Sequence, residues 1–134
     1  MDPEKNRQAA LDFMELAVNQ QRPVEAVERY VGSDFIEHDP NAPSGKQAFI
    51  DFMEGFFKVA PDTHVEQKRS AAQGDLVFLH GELTGCNLSE ADAAAGVKTH
   101  SIVDIFRFED GKIEEHWTAI QAIPPEAPNP LPAV

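Results

Sequence analysis

Asp104 is the residue whose surroundings first ask for a chemical explanation. It lies in the run Val97 to Phe108, and in an extended chain successive side chains alternate between faces. His100, Ile102, Asp104, Phe106 and Phe108 therefore share one face. A carboxylate set between Ile102 and Phe106 is costly to bury unless it is paired, hydrogen-bonded or protonated. The candidate partner is His116, in the following run, Lys112 to Gln121. Their meeting depends on the turn between the runs. If Glu109-Asp110-Gly111 is a three-residue loop, Gly111 takes the left-handed position after a type I turn, Phe108 pairs with Lys112, and Asp104 faces His116. Glu114, Thr118 and Ile120 then share that inner face. If Asp110-Gly111 is a two-residue type I′ turn, Phe108 pairs with Ile113, Asp104 faces Trp117, and His116 points to the other side. One residue of register exchanges the whole site. A glycine preceded by two turn-tolerant residues favours the first arrangement. An Asp–His couple on an apolar face suits acid–base catalysis. Apolar surroundings raise a carboxyl pKa, a histidine partner lowers it, and the balance can bring one group near neutrality.

Four further histidines compete for roles. His80 shares parity with Phe78 and Glu82, and His38 stands at a loop mouth before Asp39-Pro40. Both are placed to position a substrate oxygen. His100, near a strand start, reads as solvated, and His64 as a polar-face residue. His38, His80, His116 and Asp104 form a mixed nitrogen and oxygen set of a kind zinc accepts. Yet no two of them have the close spacing H-x-H or H-x-x-x-H, so no metal ion is expected.

The elements that must hold these residues follow from periodicity. Asp2-Pro3-Glu4 reads as a helix start, with Ala10, Phe13, Met14 and Ala17 at helical spacing. Arg22-Pro23 opens a second, shorter helix with Val24, Val27 and Val31 apolar, and Gly32 is placed to stop it. Asp34 to His38 is a brief extended piece. Ser44 reads as the N-cap of a third helix carrying Phe49, Phe52, Met53, Phe56 and Phe57. From Val65 onward the period falls to two, giving strands Val65 to Ala72, Leu76 to Thr84, Val97 to Phe108 and Lys112 to Gln121, with a polar, alanine-rich loop at Asn87 to Gly96. Three helices followed by a meander of about four antiparallel strands is an α+β fold. Residues 1–122 form one domain, and residues 123–134 a proline-rich extended tail. Both parities of the central strands are apolar: Leu76 and Phe78 against Val77, Leu79 and Leu83, then Ile102 and Phe106 against Val103 and Ile105. A solvated face would be polar. The helices cover one side, and a two-fold partner is the expected cover for the other, giving a homodimer with Trp117 as its outer anchor.

Composition narrows the function. The 134 residues hold 11 basic and 23 acidic side chains, a net charge of −12. Binding to nucleic acid or to an anionic membrane surface needs basic patches, so neither is expected as a partner. No apolar run is long enough to span a membrane, and no secretory signal is visible. Cys86 is alone, so no intrachain disulfide is possible, and a cytoplasmic location is expected.

The run Val103 to Trp117, ending in His116-Trp117, resembles the signature strand pair of the SnoaL-like polyketide cyclases of the nuclear transport factor 2-like superfamily. Phe35-Ile36-Glu37-His38-Asp39-Pro40 is similar to that family's first short strand, and Gly74 to His80 to its central one. The resemblance spans most of residues 7 to 122. It implies a cone: a strongly curved, cystatin-like sheet wrapped around helices, with a deep apolar pocket into which Asp104 and His116 both look. His38, His80, Phe52, Phe56, Phe78, Phe106 and Thr118 are the substrate-binding residues this implies, and the partner is a small, largely apolar molecule. Studied cyclases of the family close a ring by an aldol reaction without a cofactor. Their acid two positions beyond the histidine is Thr118 here, which leaves Asp104 as the available carboxyl. The expected activity is cofactor-independent condensation, hydration or isomerisation of a carbonyl compound, with Asp104 and His116 as base and acid. A non-catalytic binding protein, or a dimeric interaction module with a vestigial pocket, is the alternative.

Overall fold

A computed structural model describes all 134 residues. Helix α1 spans Pro3–Met14, and the Asp2 side chain caps it by accepting the Lys5 N–H at 3.1 Å. A single π-helical turn, Glu15–Asn19, follows. It carries Asn19 against the sheet, where its amide donates to the Val65 carbonyl at 2.9 Å and accepts from the Val65 N–H at 2.8 Å. Helix α2 is Pro23–Tyr30, with proline at its first turn, where the missing N–H costs nothing. Strand β1 runs Val31–Glu37 and helix α3 Lys46–Val59. Strands β2 (His64–Gln73) and β3 (Leu76–Thr84) come next, then a five-residue helix α4 (Glu90–Ala94), and last β4 (Thr99–Glu109) and β5 (Lys112–Ile123).

The fold is α+β, with a curved, unclosed five-stranded sheet in the order β1-β5-β4-β3-β2. Strands β2 to β5 form the expected antiparallel meander, while β1 adds to β5 in parallel as an edge. Three local expectations are corrected. Gly32 lies within β1 rather than terminating α2. The Asn87 to Gly96 segment contains α4, capped by the Ser89 hydroxyl on the Asp92 N–H at 3.1 Å. Ser44 is not the cap of α3: that position belongs to Gly45, and the Ser44 hydroxyl instead accepts the Glu37 N–H at 3.0 Å.

The core lies between the helices and one face of the sheet. Phe13 of α1 packs on Phe49 of α3 (5.9 Å between centroids) and edge-on against Phe106 of β4 (5.8 Å). Phe35 of β1 closes the cluster against Phe49 at 6.0 Å. Each fully buried ring of this kind stabilises by about 1.5–3 kcal/mol through removal from water. Val77, Leu79, Phe106 and Ile113 form the buried floor beneath them. No helix is long and apolar enough to cross a membrane.

Candidate functional site

Three ionisable side chains converge beside Phe106 on the buried face: Glu37 from the end of β1, Asp104 from β4 and His116 from β5. The turn that places His116 is Asp110-Gly111, two residues with φ of +51° and +77°, the type I′ geometry. Phe108 accordingly pairs with Ile113. The three-residue loop favoured from sequence is therefore overturned. In a regular ladder this turn would send His116 outward. A one-residue β-bulge prevents that: the register shifts between Phe108↔Ile113 and Arg107↔Glu115, leaving Glu114 as the extra residue. His116 then lies opposite Phe106, and Asp104 opposite Thr118. Asp104 and His116 meet on a diagonal rather than face to face.

The bulge is held by β1. Glu114 Oε2 accepts the Asp34 N–H at 3.1 Å, and its carboxylate passes over Gly32. A Cβ on Gly32 would lie 1.6 Å from Glu114 Oε1, so any larger residue there would displace the Glu114 carboxylate.

His116 sits between two carboxylates. Its Nδ1 lies 2.9 Å from both Glu37 oxygens, and its Nε2 lies 2.7 Å from Asp104 Oδ1. Both ring nitrogens thus face acceptors, and only the doubly protonated imidazolium can donate to both. Burial alone would lower its pKa. The hydrogen bonds to Asp104 and Glu37, with the charges of both, outweigh that and raise it from 6.5 to about 9. The Phe106 ring stacks on the imidazole with centroids 4.7 Å apart, a favourable place for a cation. Glu37 is fixed in turn: Ser44 holds its N–H, and Asp39 donates its own N–H to Glu37 Oε1 at 2.9 Å.

Asp104 is only half satisfied. Oδ1 is bound to His116, whereas Oδ2 is buried without a partner in the chain, as is the Thr118 hydroxyl directly across the ladder. Strand β1 covers β5 only as far as His116. Beyond it, on the same face, Thr118 is half-buried and Ile120 is 39 % exposed. Two clefts elsewhere, of about 420 Å³ beside the start of α2 (Arg22 to Glu28, with Glu54) and about 360 Å³ between α1 and β2, are not lined by any of these residues.

The other expected ligand contacts are distributed differently. Phe106 is at the site. Phe52 and Phe56 are half-buried on α3. His80 and Phe78 face the opposite side of the sheet and are corrected as pocket residues. The ladder pairs Leu79 with Asp104, so Val77, Leu79 and Leu83 take the inner face of β3, with Gly81 between them. His80 instead bonds Ser101 Oγ at 2.8 Å and the Arg69 guanidinium. His38 also lies outside, stacked on Trp117 at 4.9 Å with its Nε2 2.7 Å from Glu115. Glu115 accepts from Arg107 at 2.8 Å as well. These bonds, Arg107 first and His38 second, hold its carboxyl below the ordinary range. His100 is buried, not solvated. Glu37 is the member of the site that sequence reasoning did not select. Its signal was parity, since Phe35 and Glu37 share a face of β1 and Phe35 is a core residue.

A curved, unclosed sheet packed against helices, with an ionisable cluster buried on its inner face, defines a small α+β domain of cystatin type. The model of the SnoaL-like domain family matches residues 10–116. The chain belongs to the SnoaL-like family. No curated protein matches it. Among solved structures, TsrD from Streptomyces laurentii is 17 % identical over 90 % of this chain and 90 % of its own, with a TM-score of 0.73. A protein from Bacillus cereus ATCC 10987, provisionally assigned as a polyketide cyclase, is 24 % identical over 87 % of this chain and 74 % of its own, with a TM-score of 0.69. A cystatin-fold protein from Novosphingobium aromaticivorans gives 21 %, 85 %, 97 % and 0.67. At these identities the likenesses establish the fold.

Proposed function

We propose that a pocket beside Asp104, Thr118 and Ile120 binds a small, largely apolar molecule bearing a carbonyl group and that Asp104 is its catalytic base. The observation that carries this is the division of labour within one carboxylate. Oδ1 is fixed by the buried imidazolium of His116, while Oδ2 is buried and unpartnered, as is the hydroxyl of Thr118, the residue paired with Asp104 across the ladder. In the proposed step the C–H bond beside the carbonyl breaks, its proton goes to Oδ2, and its electron pair moves onto the carbonyl oxygen. The Thr118 hydroxyl donates to the enolate oxygen, a charge that develops during the reaction. The enolate carbon then forms a C–C bond to a second carbonyl carbon of the same molecule, and the proton returns to the new alkoxide. Returning the proton to a different carbon gives isomerisation instead. Neither route needs a cofactor. His116 has both nitrogens engaged, so it acts through Asp104 as a positioning residue, with Glu37 keeping it charged.

Solvent-deuterium exchange tests the base directly. The protein should accelerate exchange of the protons beside the carbonyl of 2-tetralone, followed by NMR, and Asp104→Asn should abolish the acceleration while leaving binding nearly intact. Acceleration that persists in Asp104→Asn would sink the proposal. Thr118, standing where the family's cyclases carry an acid, favours a second reading: ligand binding without turnover. That reading predicts binding with no accelerated exchange in either protein. The protein also acts as a homodimer in this account. An apolar row, Phe78, Ile105 and Trp117, crosses three registered strands on the outer face and supports that assembly.

A further inference from the structure

His100 is among the most completely enclosed polar side chains in the molecule, 1 % exposed, yet neither of its ring nitrogens has a hydrogen-bond partner. Its registered neighbours are Leu83 on β3 and Ala122 on β5, and neither carries a polar side chain. A position that needed only to fill space would be served better by leucine or phenylalanine, because an unpaired buried polar group is costly. His100 shares the inner face with Asp104, four residues along the same strand and therefore about 13 Å away between backbone positions. The row between them is Ile102 opposite Ile120. The inner wall thus reads polar, apolar, polar: Asp104 with Thr118, then the two isoleucines, then His100. All the polar atoms at both ends that the chain leaves unpartnered are buried.

We infer that His100 is a second hydrogen-bonding subsite, which selects elongated apolar molecules carrying an oxygen function at each end. This rests on the placement of a ligand oxygen against Asp104 and Thr118. The apolar body lies over Ile102 and Ile120, and the far oxygen meets the His100 imidazole. One end is held for chemistry and the other measures length.

Naphthalene-2,6-diol and 2-naphthol share an apolar body and differ by one terminal hydroxyl, so calorimetric titration of this pair isolates the second subsite. The wild type should bind the diol roughly three- to tenfold more tightly, the worth of one added hydrogen bond. His100→Phe should bind the two alike, with unchanged affinity for 2-naphthol and an undiminished melting temperature. His100→Gln, which returns a hydrogen-bonding group, should recover part of the preference. A wild type that treats the two ligands equally, or a preference that survives in His100→Phe, overturns the subsite while exchange by Asp104 stands. Failure of 2-naphthol to bind the wild type removes both the subsite and the ligand placement on which it rests.

Discussion

Replacing Glu37 by glutamine tests the electrostatic core of the site. The substitution preserves volume and a carbonyl acceptor for His116 Nδ1 while removing one of two flanking charges. In the wild type the His116 pKa rises from 6.5 to about 9 on folding. Each tenfold in proton affinity is worth about 1.4 kcal/mol, so folding gains roughly 3 kcal/mol from this proton. The folded state holds the proton more tightly than the unfolded one. The gain is therefore complete below about pH 6.5 and is lost as pH rises through about 9. Urea denaturation across pH 6 to 9.5 should show wild-type stability falling by about 3 kcal/mol from this source. In Glu37→Gln the imidazolium keeps only Asp104, its NMR titration midpoint moves down toward 6.5, and the fall shrinks. Subtracting the two curves cancels the other titrating groups, which both proteins share. The reasoning is refuted if wild-type His116 titrates at or below 6.5, for burial would then have won over the two carboxylates. It is equally refuted if the two stability curves run parallel.

Further consequences follow from the same geometry. Gly32→Ala should displace the Glu114 carboxylate and cost about 1 kcal/mol, the worth of its bond to the Asp34 N–H, measured by urea unfolding; in a Glu114→Ala background the same change should cost much less. Gly85→Ala should be severe, on the order of 3 kcal/mol, because its Cβ would lie 1.9 Å from the Asp62 carbonyl oxygen at φ +77°, and thermal unfolding reads the loss. Phe106→Ala should cost about 3–5 kcal/mol by chemical denaturation and lower the His116 midpoint by removing the stacked ring. Sedimentation equilibrium should return about twice the 14.8 kDa chain mass, reverting to one chain in Ile105→Glu; a wild-type monomer would rule out the outer-face dimer.

Most of the fold was legible in the chain because its signals are local. The change of period at Val65, the prolines at Pro3 and Pro23, and the Gly74 turn each act within a few residues, and strands β3 and β5 begin where the pattern places them. Asp104 was legible for the same reason, as a carboxylate in an apolar row. What escaped were matters of partnership. The inner face of β3 was ambiguous because both its parities are apolar. The pairing with β4 chose Leu79 over His80, and small Gly81 fits where the sheet is crowded by Gln67. Glu37 escaped because a short edge strand shows little alternation of its own, and its burial follows from docking beside β5.

Sequence alone determined that this chain has an acidic, single-core α+β domain with an Asp and a His on neighbouring strands joined by a tight turn, since composition and alternation are properties of the chain itself. It could not determine that the two would touch. The type I′ turn at Asp110-Gly111 by itself points His116 away. Contact exists because Glu114 is bulged out of the ladder and held across Gly32 by the Asp34 N–H, some 80 residues earlier in the chain. Parity along a strand is a local property, but the residue at which it is reset belongs to whichever strand lies alongside.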